Sequence, residues 1–183
     1  MNYSTEVKVK EITKEQLLAE YRMEGATQEA CSLCPDYRRV WSCPPGLPDT
    51  ASYLEPYRRV YLIAVKVCYS EEDRSRIVSR EEAEAARKGS YEQVKRTMLL
   101  ALLEKEKENP GSKVLGAGRC ILCDRCARAD GKPCRYPEKR RYSITGFGFD
   151  FSKLLKEVFD ISLLWSSDGL PEYDVAVAAL FVQ

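Results

Sequence analysis

Two stretches of the chain carry the apolar pattern of buried β-strands. Val60 to Val67 (VYLIAVKV) and Val175 to Val182 (VAVAALFV) are almost continuously apolar and rich in branched side chains. Such runs are typical of strands that are covered on both faces of a sheet. Val7 to Ile12 alternates between polar and apolar residues and predicts a shorter strand. Two further short strands are predicted at Lys113 to Leu115 and at Ile161 to Trp165.

Helix start signals lie between the predicted strands. Thr13 followed by Gln16, and Ser90 followed by Gln93, have the spacing of a capping box at a helix N-terminus. Asp150 precedes apolar residues at i, i+3, i+4 and i+7, which is the spacing of one buried helix face. Three further features are predicted: the end of the first helix at Gly25, a short helix after Asp49 that runs to Leu54, and a charged helix or insertion from Glu71 to Lys88.

Strands that alternate with helices indicate an α/β protein, a layered domain with a mixed sheet flanked by helices. The length of 183 residues fits a single domain, 1–183, and 44% hydrophobic residues are enough to bury a core. Two cysteine-rich loops, 30–48 and 116–142, interrupt the pattern. Irregular loops on a rigid scaffold are where functional sites usually lie.

The chain contains eight cysteines and no histidine. The missing imidazole excludes Ser-His-Asp and Cys-His catalysis, zinc sites of the HExxH type and histidine-bound iron within this chain. Any metal or redox chemistry is therefore expected to depend on thiolates. Met1 to Lys10 carries no signal-peptide core, which favours the reducing cytoplasm, where clustered thiols usually bind metals. No run of 18 apolar residues is present, so we expect no membrane association.

The second loop has the spacing of a metal site. Cys120, Cys123 and Cys126 are separated by two residues each, and seven residues separate Cys126 from Cys134. The compact triplet matches the first part of the bacterial ferredoxin run, with a displaced fourth ligand. The spacing predicts a 4Fe–4S cluster, and the alternative is a zinc ion bound by four cysteines.

The first loop is one thiol short of the same pattern. Two residues separate Cys31 from Cys34, and eight residues separate Cys34 from Cys43. The fourth ligand of a second cluster could be Cys68, an oxygen ligand or an external molecule on an open iron, or the two loops could share their thiols. A lone cysteine at the end of a buried strand, such as Cys68, is more often a small core residue. The spacing of Cys31 and Cys34 also occurs in thioredoxin-like redox motifs, which normally follow a strand.

Basic residues are concentrated in the second loop. Between residues 119 and 141, eight basic residues stand against three acidic ones, a local net charge of +5. This charge could offset a negatively charged cluster, dock an acidic redox protein, bind nucleic acid or simply be solvated. We favour charge compensation or solvation over nucleic acid, and we expect a redox protein as the partner.

The two loops together carry a composite motif: Cys34-x2-Tyr37, Trp41-Ser-Cys43-Pro44-Pro45, Gly118-x-Cys120-x2-Cys123-x2-Cys126 and Cys134-Arg-Tyr-Pro137. This motif resembles that of the "predicted metal-binding protein" family, a cysteine-rich domain of anaerobic microbes. The resemblance extends from about Cys31 to the C-terminus. It implies metal binding through the seven cysteines of the two loops, with an iron–sulfur cluster as the expected centre. It implies no established reaction.

The sequence thus predicts a 4Fe–4S protein, with one cluster or two, that acts in electron transfer or in cluster-based chemistry for an unidentified partner or substrate. The alternative is a zinc-stabilised binding module whose basic loop contacts nucleic acid or protein. The predicted metal ligands are Cys120, Cys123, Cys126, Cys134, Cys31, Cys34 and Cys43. Whether the chain is an enzyme, and its oligomeric state, are left open by the sequence.

Overall fold

A four-stranded sheet forms the centre of the protein in the computed structural model, which describes residues 1–23, 26–166 and 168–183. Its strands are β1 (Tyr3–Thr13), β2 (Arg59–Tyr69), β3 (Lys113–Leu115) and β4 (Tyr173–Val182). They lie in the order β1–β2–β4–β3. The two apolar runs form the interior strands β2 and β4, as predicted, and the α/β class is confirmed.

The sheet differs from the prediction in its strand directions. All three neighbouring strand pairs are antiparallel, so the sheet is not mixed. Apolar patterns report how deeply a strand is buried but not its direction. The helices that follow β2 carry the chain to β3, which runs in the same direction as β2. Strand β4 then lies between β2 and β3 and is antiparallel to both, so no two neighbouring strands are parallel, although strand–helix alternation is more typical of parallel sheets.

Seven α-helices are described: α1 (Lys14–Tyr21), α2 (Ala26–Ser32), α3 (Thr50–Leu54), α4 (Glu71–Arg76), α5 (Arg80–Gly89), α6 (Tyr91–Glu108) and α7 (Phe151–Phe159). Three predicted starts are confirmed by side-chain caps. Thr13 accepts a hydrogen bond from the Gln16 backbone N–H, and Asp49 and Asp150 cap α3 and α7 in the same way. The predicted end at Gly25 lies outside the described residues.

Helices cover both faces of the sheet. On one face, α1, α3 and α7 pack against β2 and β4 around the fully buried residues Leu17, Leu154 and Phe181. On the other face, Met98, Leu99, Leu102 and Leu103 of α6 pack against the same two strands, and Ala83 of α5 packs against the end of β2. These two apolar layers fix α6 and the loops attached to it relative to the sheet.

Two predicted features are wrong. Ile161 to Trp165 forms no strand, because Ile161 packs into the apolar core while Trp165 stays 86% exposed, and the segment follows α7 without joining the sheet. Ser90 does precede α6, but its hydroxyl does not cap that helix. The Ser90 Oγ instead donates to the Ala86 carbonyl of the preceding helix at 2.8 Å.

The base of the second cysteine loop is closed by backbone hydrogen bonds at the end of β3. The Gly116 N–H donates to the Tyr142 carbonyl at 2.8 Å, and the Ile144 N–H donates to the Gly116 carbonyl at 3.0 Å. Loop 116–142 therefore leaves the sheet and returns to it at one point. Among the described helices, none has the length and apolar character required to cross a bilayer.

Candidate metal centre

The four thiols of the second loop line one small cavity. Cys120, Cys123, Cys126 and Cys134 surround a space of about 20 Å³, which is room for about one water molecule. The other walls are aromatic, apolar and basic: Trp41, Leu122, Ala127, Arg135, Tyr136 and Arg140. The structure thus brings together the four cysteines that the spacing singles out, and their role as metal ligands remains a prediction.

The pKa of the Cys120 thiol is affected by the other three thiols of this cavity. Burial raises the pKa of Cys120, a backbone hydrogen bond from Leu122 opposes that shift, and the charges of Cys134, Cys123 and Cys126 raise the pKa further. The four groups would repel one another as thiolates in the metal-free protein. A cationic centre among them would remove this repulsion and favour the deprotonated form.

Two arginines supply positive charge to this four-thiol cavity. A hydrogen bond with Cys123 is the largest cause that raises the pKa of the Arg135 guanidinium. Arg140 also lines the cavity, and its Nε is buried without a hydrogen-bond partner among the described residues. A buried N–H that lacks an acceptor costs free energy, so Arg140 fits a site in which an anionic group would normally be bound.

Other basic residues of the second loop hold that loop in place. Arg141 forms a forked ion pair with Glu106 of α6, with Nε–Oε2 and Nη2–Oε1 distances of 2.8 and 2.7 Å. Arg128 Nη1 donates to the carbonyls of Val40 at 2.8 Å and Cys43 at 3.0 Å, and its Nη2 donates to that of Pro45. Much of the local charge of +5 is therefore used inside the protein rather than presented to a partner.

The three thiols of the first loop line a second, larger cavity. Successive turns, with backbone hydrogen bonds from Cys34 to Cys31 and from Cys43 to Val40, curl the loop so that Cys31, Cys34 and Cys43 face a cavity of about 470 Å³. Burial raises the pKa of Cys43, a hydrogen bond from Ser42 opposes this, and Asp36, Cys34 and Cys31 raise it again. Asp36 lines the same cavity and is the one carboxylate of this loop near the thiols.

Cys31 lies on a helix rather than in the predicted loop. Helix α2 runs to Ser32, so Cys31 belongs to its last turn. The stretch Thr27 to Ala30 favours a helix because it contains good helix formers and no glycine or proline. A helix therefore precedes the Cys31–Cys34 pair, where a thioredoxin-like motif requires a strand.

Cys68 lies apart from both groups of thiols. It is on β2, half-buried, and its Sγ is 4.0 Å from Glu6 Oε1 of β1. It lines neither thiol cavity. All eight cysteines are free thiols.

The two thiol groups adjoin through Ser42, which is fully buried. The backbone N–H of Cys120 donates to Ser42 Oγ at 2.8 Å, and the same Oγ lies 3.6 Å from Cys43 Sγ. The Ser42 carbonyl accepts from the Ser143 N–H at 2.9 Å, which ties this residue to the base of the second loop. A single side chain thus connects the four-thiol cavity to the three-thiol cavity.

A buried lysine also faces the three-thiol cavity. Lys95 of α6 is 7% exposed, and its Nζ lies 5.4 Å from the centre of the Tyr91 ring. Burial is the main cause that lowers the pKa of Lys95 to about 8, and Arg119 lowers it further, whereas Glu92 and Cys43 act in the opposite direction.

Sequence reasoning identified the thiols but missed Ser42, Lys95 and the role of Arg128. Ser42 stands inside the Trp41-Ser-Cys43 motif, which is the one signal that could have drawn attention to it. Lys95 stands three and four residues before Met98 and Leu99, on the apolar stripe of α6, and a charged residue at such a position is the signal that could have drawn attention to it. Long-range contacts, such as those of Arg128, have no counterpart in local spacing.

Within the described ranges, no group of three or more Cys, Asp or Glu side chains has the arrangement needed to hold a metal ion directly. The four thiols surround a space instead of meeting at one point. Soft thiolate sets of this kind suit iron–sulfur clusters or zinc, so the donor chemistry fits a metal centre.

Comparison with known proteins identifies the family. No curated protein and no solved structure matches the chain significantly. The family model described as "Predicted metal-binding protein (DUF2284)" matches residues 17–177, which include all seven loop cysteines, β2, β3 and the first half of β4, but not β1. The chain therefore belongs to the DUF2284 family of predicted metal-binding proteins.

Proposed function

We propose that this protein is an iron–sulfur protein in which Cys120, Cys123, Cys126 and Cys134 hold a 4Fe–4S cluster. The observation that carries the proposal is that these four thiols line one cavity, three of them at two-residue gaps in the chain. Zinc sites usually use two separated Cys-x2-Cys pairs, whereas the compact triplet is the pattern of the bacterial ferredoxin run. A 4Fe–4S centre takes the same four thiolates but separates them by a core of several atoms.

The arginines at the cavity support an anionic occupant. Four thiolates around a doubly positive core carry a net charge of about −2. Arg135 lines the cavity, Cys123 raises the pKa of its guanidinium, and the unpartnered Nε of Arg140 offers a further donor at the same cavity. Both residues would offset the negative charge, and their hydrogen bonds would raise the reduction potential.

The position of the cavity favours electron transfer to another protein. A cluster bound here would supply a one-electron redox couple. Tyr136, which lines the cavity, is 43% exposed, so the site lies close to the surface. Lys132 and Lys139 of the same loop are exposed and could steer an acidic redox protein towards it. The free thiols fit a reducing compartment, and we propose the cytoplasm.

The first loop is proposed to hold a second centre through Cys31, Cys34 and Cys43. Its fourth ligand is either Asp36, which faces the same cavity, or a molecule from outside the protein. The structure offers no support for Cys68 as that ligand, since it lines neither cavity.

The experiment is metal analysis of protein that has been purified without oxygen. About four irons and four sulfides per chain are expected for one cluster and about eight of each for two, with broad visible absorption. Cys123→Ser should remove the iron of the four-thiol site, and Cys43→Ser should remove only that of the second site.

Cys68→Ser is the matched control, because it replaces a half-buried thiol that lines neither cavity. Its iron content should equal that of the natural protein. A colourless protein that binds one zinc per chain and loses it in Cys123→Ser would contradict the proposal and support the zinc-stabilised binding module.

A further inference from the structure

The three-thiol cavity has features that a metal centre alone does not require. A cavity of about 470 Å³ is far larger than the space within the four-thiol group, and it lies within the size range of small-molecule sites. Cys31, Cys34 and Cys43 occupy one part of its wall, and charged residues of α5 and α6 occupy another. The rest of the cavity therefore has room for a small molecule.

Most charges around the cavity already neutralise one another. Arg119 pairs with Glu92 and lies 3.6 Å from Asp36, and Arg87 Nε lies 2.8 Å from Asp174 Oδ2. These ion pairs leave little net attraction for a charged ligand. They also fix the positions of the side chains that form the wall.

Two lysines of the wall have no ion-pair partner among the described residues: Lys88, which is exposed to solvent, and Lys95, which is buried. Lys95 is 93% buried and lines the cavity, and among the described residues its Nζ has neither a hydrogen-bond acceptor nor an ion-pair partner. Within the described ranges, its Nζ has one contact of the cation–π type, with the ring of Tyr91, whose centroid lies 5.4 Å from Nζ. Its stem is buried while its Nζ faces the open cavity, so a negatively charged ligand group that enters the cavity can form a charge-assisted hydrogen bond with the ammonium.

The charged cavity continues into an apolar one. A neighbouring cavity of about 900 Å³ shares Cys31, Cys34, Tyr91 and Gly118 with the first. Its other walls are mainly apolar: Phe149, Leu155, Leu163, Val175, Val177 and the highly exposed Trp165. A molecule that spans both cavities would place an anionic end at Lys95 and an apolar body against these side chains.

We propose that these joined cavities bind an organic carboxylate, whose carboxylate group pairs with Lys95 beside the three thiols and whose apolar body lies along the wall that ends at Trp165. This inference deepens the proposed function, because the carboxylate end would lie next to the open ligand position of the second centre. It assigns a substrate class and makes Lys95 its binding residue.

Calorimetric titration of the oxygen-free protein tests the proposal with three probes. Phenylacetate carries both an anionic group and an apolar ring, phenylacetamide keeps the ring without the charge, and acetate keeps the charge without the ring. Phenylacetate should bind at least about tenfold more tightly than either, since a hydrogen-bonded charge and a buried ring each contribute 1.4 kcal/mol or more. Equal binding of phenylacetamide or of acetate, or no binding of phenylacetate, would overturn it.

Lys95→Met removes the ammonium but keeps an apolar side chain of similar length. It should weaken phenylacetate binding at least about tenfold and leave phenylacetamide binding unchanged. Lys105→Met is the matched control on the same helix, because Lys105 is exposed and pairs only with Glu108 in the described residues. Unchanged phenylacetate affinity in Lys95→Met would show that Lys95 serves only as a counter-charge to the thiolates and would refute the proposal.

Iron and sulfide content, measured on the same samples, separates this inference from the proposed function. If the protein contains no iron but still binds phenylacetate through Lys95, the carboxylate site is supported and the cluster is refuted. If the protein contains the expected iron but binds the three probes equally, the cluster is supported and the carboxylate site is refuted. Circular dichroism of each variant verifies that it is folded.

Discussion

Ser42 makes one contact with each of the two thiol groups. Its hydroxyl accepts from the Cys120 N–H, lies near Cys43 Sγ, and is shielded completely from solvent. The Ser42 hydroxyl is the acceptor of the buried Cys120 N–H. Without it, this N–H would carry its full desolvation cost, so the hydroxyl helps to hold Cys120 in its position. Arg140 is the converse case, with a buried donor that lacks a described acceptor.

Replacing Ser42 with alanine should destabilise the metal-free protein by about 1–3 kcal/mol, because the Cys120 N–H loses its acceptor inside the protein. The measurement is urea-induced unfolding under reducing conditions. Ser75→Ala, which removes an exposed hydroxyl bonded to the Glu71 carbonyl, should change stability by less than about 0.5 kcal/mol. Equal effects of the two changes would contradict a special role for Ser42.

Arg140→Met should lower the reduction potential of the proposed cluster. Removing a positive charge from the cavity wall disfavours the added electron, by on the order of 50 mV if the charges interact through an effective dielectric constant near 20. Redox titration followed by visible absorption gives the shift. Lys139→Met removes an exposed charge from the same loop and should move the potential far less.

At the scale of elements, α6 acts as the support for the second cysteine loop. Arg96 of this helix donates to the Ile121 carbonyl at 2.8 Å, and Glu106 binds both Arg141 and the Val114 N–H. The loop is therefore attached near both of its ends to a helix whose other face is buried against the sheet. This attachment lets an irregular segment of 27 residues, 116–142, keep its thiols in place.

Glu106→Gln should reduce stability by about 1–3 kcal/mol at pH 7. Burial tends to raise the pKa of Glu106, but hydrogen bonds and charge from Arg141, together with the Val114 N–H, lower it overall. A lowered pKa in the folded state contributes stability above the ordinary value of 4.5, and this contribution disappears as the pH falls through the folded-state value. The difference between the variant and the natural protein should therefore shrink in acid.

Urea unfolding at pH 7 and at pH 3 measures this difference. Glu108→Gln provides the control, since Glu108 is exposed and forms only a surface ion pair with Lys105 among the described contacts. A loss below about 1 kcal/mol is expected there. A Glu106 effect that stayed constant across this pH range would contradict the assigned ion pair.

Most elements could be predicted from local patterns, and the failures have physical reasons. Thr13 and Asp150 cap their helices because nothing competes for their side chains, whereas the Ser90 hydroxyl is taken by the Ala86 carbonyl. Ile161 to Trp165 has a strand-like composition, but a strand also needs a hydrogen-bonding neighbour, and none of the described strands pairs with this segment. Composition reports burial and propensity, while pairing depends on the whole fold.

At the scale of the molecule, the apolar core and the thiol groups are largely separate. The core lies on the two faces of the sheet, whereas the seven loop cysteines line cavities at its margin. Cysteine spacing singled out the four thiols of the second loop, and it left open whether those of the first loop form a group of their own or share ligands with the second. It could not predict that the groups adjoin, since that depends on contacts such as the one between Ser42 and Cys120, which are 78 residues apart.

Removing the metal should therefore loosen the loops and leave the sheet intact. Hydrogen exchange of metal-free protein should speed up in residues 31–43 and 116–142, because a bound centre stabilises the folded loops. Backbone amides of β2 and β4 should stay protected, since β2 is paired on both sides, β4 is paired with β2 along its length and with β3 at Ala179 to Phe181, and helices bury both strands. Loss of protection throughout the sheet would show that the fold itself requires the metal.

The contacts of Arg128 have a consequence for how the centres are assembled. This residue belongs to the second loop but donates to three carbonyls of the first, so neither loop can rearrange alone. Whichever of the two proposed centres is inserted first would meet part of the conformational entropy cost of ordering the other loop. In the natural chain, insertion should then be cooperative when iron is limiting, whereas Cys43→Ser with iron in excess can still fill the four-thiol site.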